Sequence, residues 1–555
     1  MPLFALPSDF GILKKFLTHL SWLMVLNLTI KPAYLLVVDA KIQDALGPEA
    51  WGNFFPLLSL SILLNILLDA GLANHTTRAI AQNPEGLNGH FQSGWRAKGM
   101  LFPIYLLALL ATGYLLGYRG TSLQWLGWVG INQAVLSAVL YVRAGLQGAG
   151  EHRADAWVSI ADRALLLVGL GALLFARDAF QLEWLLGGTT AALTCSLLLG
   201  SLRIQKLRKA LPVPLTASPN IWAHFKSSWP YALLFLLMMT YHRVDAIMLE
   251  RMAPNGAVQA GWYAMGYRLF EAANMIGFLF ATLLLPYFTR MLSAGEDVRP
   301  LAAGVSRLLL VGGGSVAWVA AFFAPAFLGL FYASFLNEAA PILPWLMASF
   351  AVFAQGYVYS TLLTARGDLK LLNRLAALGA VANVAGNAWW LSQADGSNAA
   401  LGCAVVSAGT QVLVVGLQTA CAMRFHPGRI WWKVVQTALL HSLTCAAICG
   451  AFLRWANISG WSVVLCLLCC IAAGALPVLV AERAVGPRDG IAAHLGARHV
   501  AHAAGAAVRA TNRDRVVGVG DAVLGQHAHP DPNRLTRDEA DERVRATAAA
   551  DRLAV

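Results

Sequence analysis

The chain has 555 residues, 58% of them hydrophobic and only 13% charged, with a mean hydropathy of +0.59. Soluble domains carry about 25% charged residues, so the composition excludes a soluble protein, and runs that are continuously apolar rather than alternating exclude a transmembrane β-barrel. The formal charge of +12 does not indicate nucleic acid, because the basic residues stand singly or in small groups between apolar runs rather than in a dense stripe.

Apolar runs long enough to cross about 30 Å of hydrocarbon as helices recur along the chain. They predict fourteen helices, near 16–38, 53–72, 99–117, 124–146, 156–176, 183–202, 223–247, 260–287, 303–331, 341–364, 371–392, 399–422, 434–453 and 460–481. Lys14 and Lys15 precede the first run, which is long and lacks a small-residue cleavage site, so it is expected to be a signal-anchor and first span. With the N-terminus cytoplasmic, 21 of the lysines and arginines up to residue 481 fall in cytoplasmic segments, and five (Lys41, Arg119, Arg177, Arg251 and Arg454) face outward. That asymmetry is the one cytoplasmic loops carry. Lys31, Arg163, Arg243 and Arg268 fall inside spans.

The first twelve spans read as a duplication. "VVDAKIQDALGPEAWGNF" near 37–54 resembles "RVDAIMLERMAPNGAVQAGWYA" near 243–264, pairing Asp39 with Asp245 and Gly52 with Gly261. "RAGLQGAGEHRAD" at 143–155 resembles "LLTARGDLKLLNR" at 362–374. Six spans per half make the repeats parallel, with a site between them near the midplane. The expected organisation is an N-terminal six-helix lobe (1–202), a basic cytoplasmic linker (203–222), a second six-helix lobe (223–422), two added helices (423–481) and a tail (482–555). The tail has eleven arginines, no lysine and no Phe, Trp or Tyr. It is expected to be cytoplasmic and disordered, with one short helix near 537–553.

All eight cysteines lie in or at the ends of apolar runs. "CLLCC" at 466–470 contains a CxxC spacing, but no second ligand pair is near it in sequence, so the cysteines are expected to be small packing residues and no metal site is assigned. There is no P-loop, HExxH or GxSxG, no catalytic residue is assigned, and neither an enzyme nor a cofactor is expected.

The words "ALGPEAWGNF" (45–54), "LLDAGLANHTTRAIA" (67–81), "GLQGAGEHRADAWVSIADR" (145–163), "VDAIMLERMAPNGAVQAGWYAMGYRLFEA" (244–272) and "TARGDLKLLNRLAALGAVANVAGN" (364–387) resemble the multidrug/oligosaccharidyl-lipid/polysaccharide exporter superfamily, most closely its polysaccharide branch, the Wzx-type flippases. The resemblance spans roughly residues 10–480, and departs from the lipid II flippases in lacking an arginine-rich first helix. It implies an all-α polytopic protein of the bacterial inner membrane, with two six-helix lobes around a central cavity. It also implies alternating access and an undecaprenyl-diphosphate-linked oligosaccharide as substrate, for surface polysaccharide synthesis. Membrane lipids, a polysaccharide polymerase and glycosyltransferases would be its partners. The rival functions are a cation-coupled multidrug antiporter of the same superfamily and a non-transporting membrane assembly component.

Ionisable groups inside spans are costly and mark pathways or partners. Lys31, His242, Arg243 and Arg268 are therefore the candidate substrate-binding residues, a cationic lining for a lipid diphosphate, and Glu271 is the candidate ion-coupling acid. Simpler roles compete: an i,i+3 salt bridge for Arg268 and Glu271, snorkelling for Lys31, and structural pairing for Asp162, Arg163 and Asp69. Tyr241, Trp262, Tyr263 and Tyr267 would stack on sugars or anchor at the membrane interface. Asp245, at the predicted outer end of its helix, reads as a boundary marker.

Overall fold

A computed structural model describes residues 27–484 except 28, 70, 83–86, 177–179, 211–220, 395–397 and 456–459. Two compact units divide the chain, Met1–Ala481 and Glu482–Val555. Beyond Ala484 the second unit lies outside the described residues, and so do the expectations for the tail, for Lys14 and Lys15, and for the start of the first span.

Every long element is a helix. A π-helical segment, Tyr34–Asp39, leads into α1 (Ala40–Leu63) and the short α2 (Ile66–Asp69). Then come α3 (Leu72–Gln82), α4 (Leu87–Leu115), α5 (Gly120–Gly148), α6 (His152–Ala176), α7 (Leu182–Ala210), α8 (Ile221–Met252) and α9 (Gly256–Ser293). The chain continues through α10 (Arg299–Leu328), the short α11 (Leu336–Ala339), α12 (Leu343–Arg366), α13 (Leu369–Leu391), α14 (Ala399–Phe425), α15 (Ile430–Trp455) and α16 (Gly460–Ala484). Among the described residues eleven helices are long and apolar enough to cross a membrane, and the protein is a multi-pass, all-α membrane protein. Leucines and phenylalanines that point away from the bundle, such as Leu107, Phe175 and Leu443, are largely exposed, as suits side chains covered by lipid.

Eleven and fourteen reconcile helix by helix. The first two expected spans are continuous in the structure, as one helical stretch Thr29–Asp69. The break between them is a single residue, Gly47, at φ +77° and ψ 166°. That left-handed backbone favours glycine, and Pro48 follows with its φ already set for a new helix. α13 is 23 residues long but is made polar by Lys370, Asn373, Arg374, Asn383 and Asn387. In α16 the counted stretch is Gly460–Ala475, 16 residues, although the apolar sequence runs on through Leu476–Ala481.

The loop expected after the second span is instead the amphipathic α3, with Leu72, Thr76 and Ile80 buried at i, i+4 and i+8. Its 11 residues are too few for a span. Pro32 withholds one backbone donor from the first helix, and the next turn widens into the π-helical form, a distortion that gathers at functional sites. Asp39 ends it.

The packing repeats with the sequence. In the first half α4 packs on α5, α5 on α7, α6 on α7, α1 on α5, and the π-helical segment on α6. The second half repeats this as α10 on α12, α12 on α14, α13 on α14, α9 on α12, and α8 on α13. The halves meet chiefly where α1 lies against α8 and α9, and α15 is added on α10. At the meeting point the repeat-mated glycines face each other's chains. A Cβ on Gly52 would overlap the Ala257 carbonyl, and a Cβ on Gly261 would overlap the Pro48 carbonyl.

Candidate functional site

The helix that carries Asp39 does not end there. It runs on to Leu46, seven residues further and just before the break at Gly47, which sets Asp39 about 10 Å inside the helix end. Asp245 stands seven residues before the end of α8 at Met252, so the repeat-mates lie at equal depth. Both are buried, Asp39 at 4% exposure and Asp245 at 1%. This corrects the expectation that Asp245 marks a helix boundary: the helix runs five residues, about one and a half turns, beyond the end of its apolar run.

Asp39 begins a chain of charges that crosses between the halves. Its Oδ2 lies 2.8 Å from Arg268 Nε and accepts a hydrogen bond from Gln43 Nε2 at 3.1 Å. Arg268 Nη1 donates to Glu271 Oε2 at 2.6 Å, and Arg243 Nη2 donates to Glu271 Oε1. Two guanidiniums and two carboxylates thus alternate, Asp39–Arg268–Glu271–Arg243, with no net charge. The cationic lining expected from Arg243 and Arg268 is compensated, because Asp39 and Glu271 occupy both guanidiniums. Aromatic rings enclose them: Arg268 lies 5.4 Å from the Trp51 ring centre and Arg243 5.1 Å from that of Tyr267. Arg243 Nη1 is buried without a hydrogen-bond partner.

His242, the fourth candidate for that lining, is buried. Its ring is buried among Tyr241, Phe270 and Phe353, at centroid distances of 4.8, 6.0 and 4.5 Å, and Nε2 has no partner. Tyr263 and Tyr267 are also interior: Tyr267 donates to the His242 carbonyl at 2.8 Å and Tyr263 to Asp245 at 2.9 Å. Lys31 is half-buried on the first helix, and its Nζ donates to Ser159 Oγ at 3.2 Å. Ser159 in turn donates to Asn27 Oδ1 at 2.9 Å. Among the described residues no carboxylate forms a salt bridge with Lys31. Asp162 pairs with Arg163 at 3.5 Å. Asp69 pairs with the buried Lys98 at 2.9 Å, which also donates to Ser137 and the Leu68 carbonyl.

A second polar cluster lies within the second half. Asp245 accepts from Tyr263, from Asn387 Nδ2 at 2.7 Å and from Ser407 Oγ. Asn387 Nδ2 also lies 3.2 Å from Asn383 Oδ1, and Asn387 Oδ1 is buried without a partner. Four helices, α8, α9, α13 and α14, supply this oxygen-rich set. The sequence reading passed over it. The available signal was Asn383 and Asn387 at i,i+4 in a helix otherwise apolar in that stretch, opposite an aspartate whose repeat-mate is also an aspartate.

A family model described as "Polysaccharide biosynthesis protein" matches residues 16–292. No curated protein sequence matches the chain. Among solved structures, the chain is similar to a lipid II flippase, MurJ, in an inward closed conformation, at 12% identity over 84% of this chain and 99% of that one, with a TM-score of 0.61. An inward-facing multidrug resistance MATE family transporter of the MOP superfamily is 16% identical over 72% of this chain and 98% of that one, with a TM-score of 0.51. A MATE protein in complex with MaD5 is 14% identical over 73% and 94%, with a TM-score of 0.52. By sequence the first half of the chain matches the polysaccharide biosynthesis family, and by fold the chain shares the helical bundle of the lipid II flippase and MATE transporter structures.

Proposed function

We propose that the chain is a flippase moving undecaprenyl-diphosphate-linked oligosaccharide from the cytoplasmic to the outer leaflet of the inner membrane. The observation that carries this is the buried charge chain joining the halves through Asp39 and Arg268, in a bundle whose first half matches a polysaccharide biosynthesis family. A diphosphate is the anion able to compete with Asp39 for the Arg268 guanidinium, which binds phosphate and carboxylate through the same fork. Lys31 lies eight residues from Asp39 on the same helix, about 12 Å along it, and offers an ammonium that donates to the Ser159 hydroxyl. The phosphates meet Lys31 and then displace Asp39. Breaking that pair frees the first helix from α9 and lets the halves part where Gly52 and Gly261 touch.

Asp245, rather than Glu271, is the coupling acid of this proposal. Glu271 is engaged by two guanidiniums, whereas Asp245 is held by neutral donors. An unpaired amide oxygen beside a carboxylate and a hydroxyl suits a hard cation, and sodium is the one proposed. Sodium at Asp245 competes with the Tyr263 hydroxyl for Oδ2. Tyr263 and Arg268 share α9 five residues apart, so loss of the tyrosine contact is felt at the ion-pair chain. Asp245→Asn is expected to leave a folded protein whose transport no longer responds to a sodium gradient. Uptake into vesicles with and without that gradient measures this, and an unchanged response would move the coupling site elsewhere.

The function is tested by expressing the chain in a strain deleted for its own oligosaccharide flippase and measuring surface polysaccharide. Wild type is expected to restore it, and Lys31→Gln to lower it about 10- to 100-fold at equal protein level, the scale of one lost charge-assisted contact to phosphate. Full activity of Lys31→Gln would remove Lys31 from the pathway. Failure of wild type, with resistance to cationic drugs gained, would indicate the antiporter.

A further inference from the structure

The last two helices bring together four cysteines that the transport reading does not use. Cys445 and Cys449 stand four residues apart on α15, and Cys466 and Cys470 four apart on α16, so each pair occupies one helix face. All four have 0% exposure, while Cys469, the remaining cysteine of CLLCC, is only partly buried. The Sγ atoms of Cys449, Cys466 and Cys470 lie within 4.8 Å of one another, with Cys449 and Cys466 3.7 Å apart. Cys445 stands outside that group of three, one turn from Cys449 and on the Cys470 side of it, and lies 3.3 Å from His441 Nε2. That nitrogen is also 3.1 Å from both the Val311 carbonyl and Ser315 Oγ, which fixes the imidazole against α10. The second ligand pair that CLLCC lacks in sequence is thus the CAAIC of the neighbouring helix.

We propose that Cys445, Cys449, Cys466 and Cys470 form a structural zinc(II) site that ties α15 to α16 inside the apolar layer. A tetrahedral ion with Zn–S near 2.3 Å requires sulfurs about 3.8 Å apart, and Cys449 and Cys466 already stand at that spacing. Four thiolates close the coordination shell and leave no open position, the arrangement of structural sites. A divalent ion cancels two of the four thiolate charges, one more than copper(I) would. Binding releases the thiol protons to water and changes no oxidation state.

The test uses the full-length protein purified in detergent without added metal. Elemental analysis is expected to find about one zinc per chain, and exchange with cobalt(II) to give the visible and sulfur-to-metal bands of a tetrahedral thiolate site. Cys449→Ser/Cys466→Ser is expected to hold less than about a fifth of that zinc, and Cys469→Ser to hold it all. If the double variant does not fold, cobalt titration of the wild-type protein decides alone. Metal-free wild type with free thiols and no cobalt spectrum, or a Cys449–Cys466 disulfide in the mass spectrum, would overturn the proposal.

Discussion

Arg268→Ala is expected to be the most damaging single substitution in the bundle. It leaves Asp39 with the Gln43 amide and Glu271 with Arg243, both carboxylates in the interior. Breaking a buried pair from one side costs about 3–5 kcal/mol. Arg268→Lys is expected to recover little, because one ammonium cannot reach Asp39 and Glu271 with the two-sided geometry of a guanidinium. Asp39→Asn/Arg268→Gln removes both charges of the pair and is expected to regain more than half the lost stability, since residues in one network couple strongly. It is not expected to regain transport, because the group that exchanges with phosphate is gone. Thermal unfolding followed by tryptophan fluorescence, read beside surface polysaccharide, separates the two effects. A double variant no more stable than Arg268→Ala would show that the pair does not hold the halves together.

The second large effect is expected at Gly261. Its Cα faces the Pro48 carbonyl across the junction of the halves, and Gly52 faces Ala257 in the reciprocal contact. Small residues permit such close helix approach in membranes. A valine at 261 must push α9 away from α1, and overpacking of this kind costs about 1–3 kcal/mol. The larger consequence is on state: the closed junction is disfavoured and the cycle stalls with the halves apart. Hydrogen exchange across residues 44–52 and 254–262 should rise in Gly261→Val, with transport near background. Unchanged exchange and normal transport would remove the glycine contact from the closing mechanism.

Much of the fold is written in the hydropathy of the chain. Apolar runs give the spans, and the shared order of Asp, Pro and Gly near 37–54 and 243–264 gives the duplication that the helix packing repeats. Helix ends are less legible, because a helix continues as long as its backbone can pair, not as long as its side chains are apolar. α9 extends to Ser293, and the first helix to the break at Gly47. That error in length had a consequence at the site. The apolar runs place Asp245, and with it its repeat-mate Asp39, at helix boundaries, whereas Arg268 and Glu271 fall together on one face. The i,i+3 spacing made that pair local and visible. Asp39 reaches it from more than two hundred residues away, and Asn387 and Ser407 reach Asp245 from helices that only folding brings near. Charge compensation between distant segments leaves no trace in the sequence around either partner. Convergence of Cys445 and Cys449 with Cys466 and Cys470 was hidden for the same reason, although only sixteen residues separate Cys449 from the start of CLLCC.

The most direct measurement is transport by the purified protein in sealed vesicles, using a fluorescent polyprenyl-diphosphate oligosaccharide and an outer-leaflet quencher. Wild type should move the lipid well above empty vesicles, Arg268→Ala should fall to their level, and excess diphosphate-linked lipid, but not its neutral alcohol, should compete. Wild-type vesicles no faster than empty ones, or equal competition by the neutral lipid, would contradict the account.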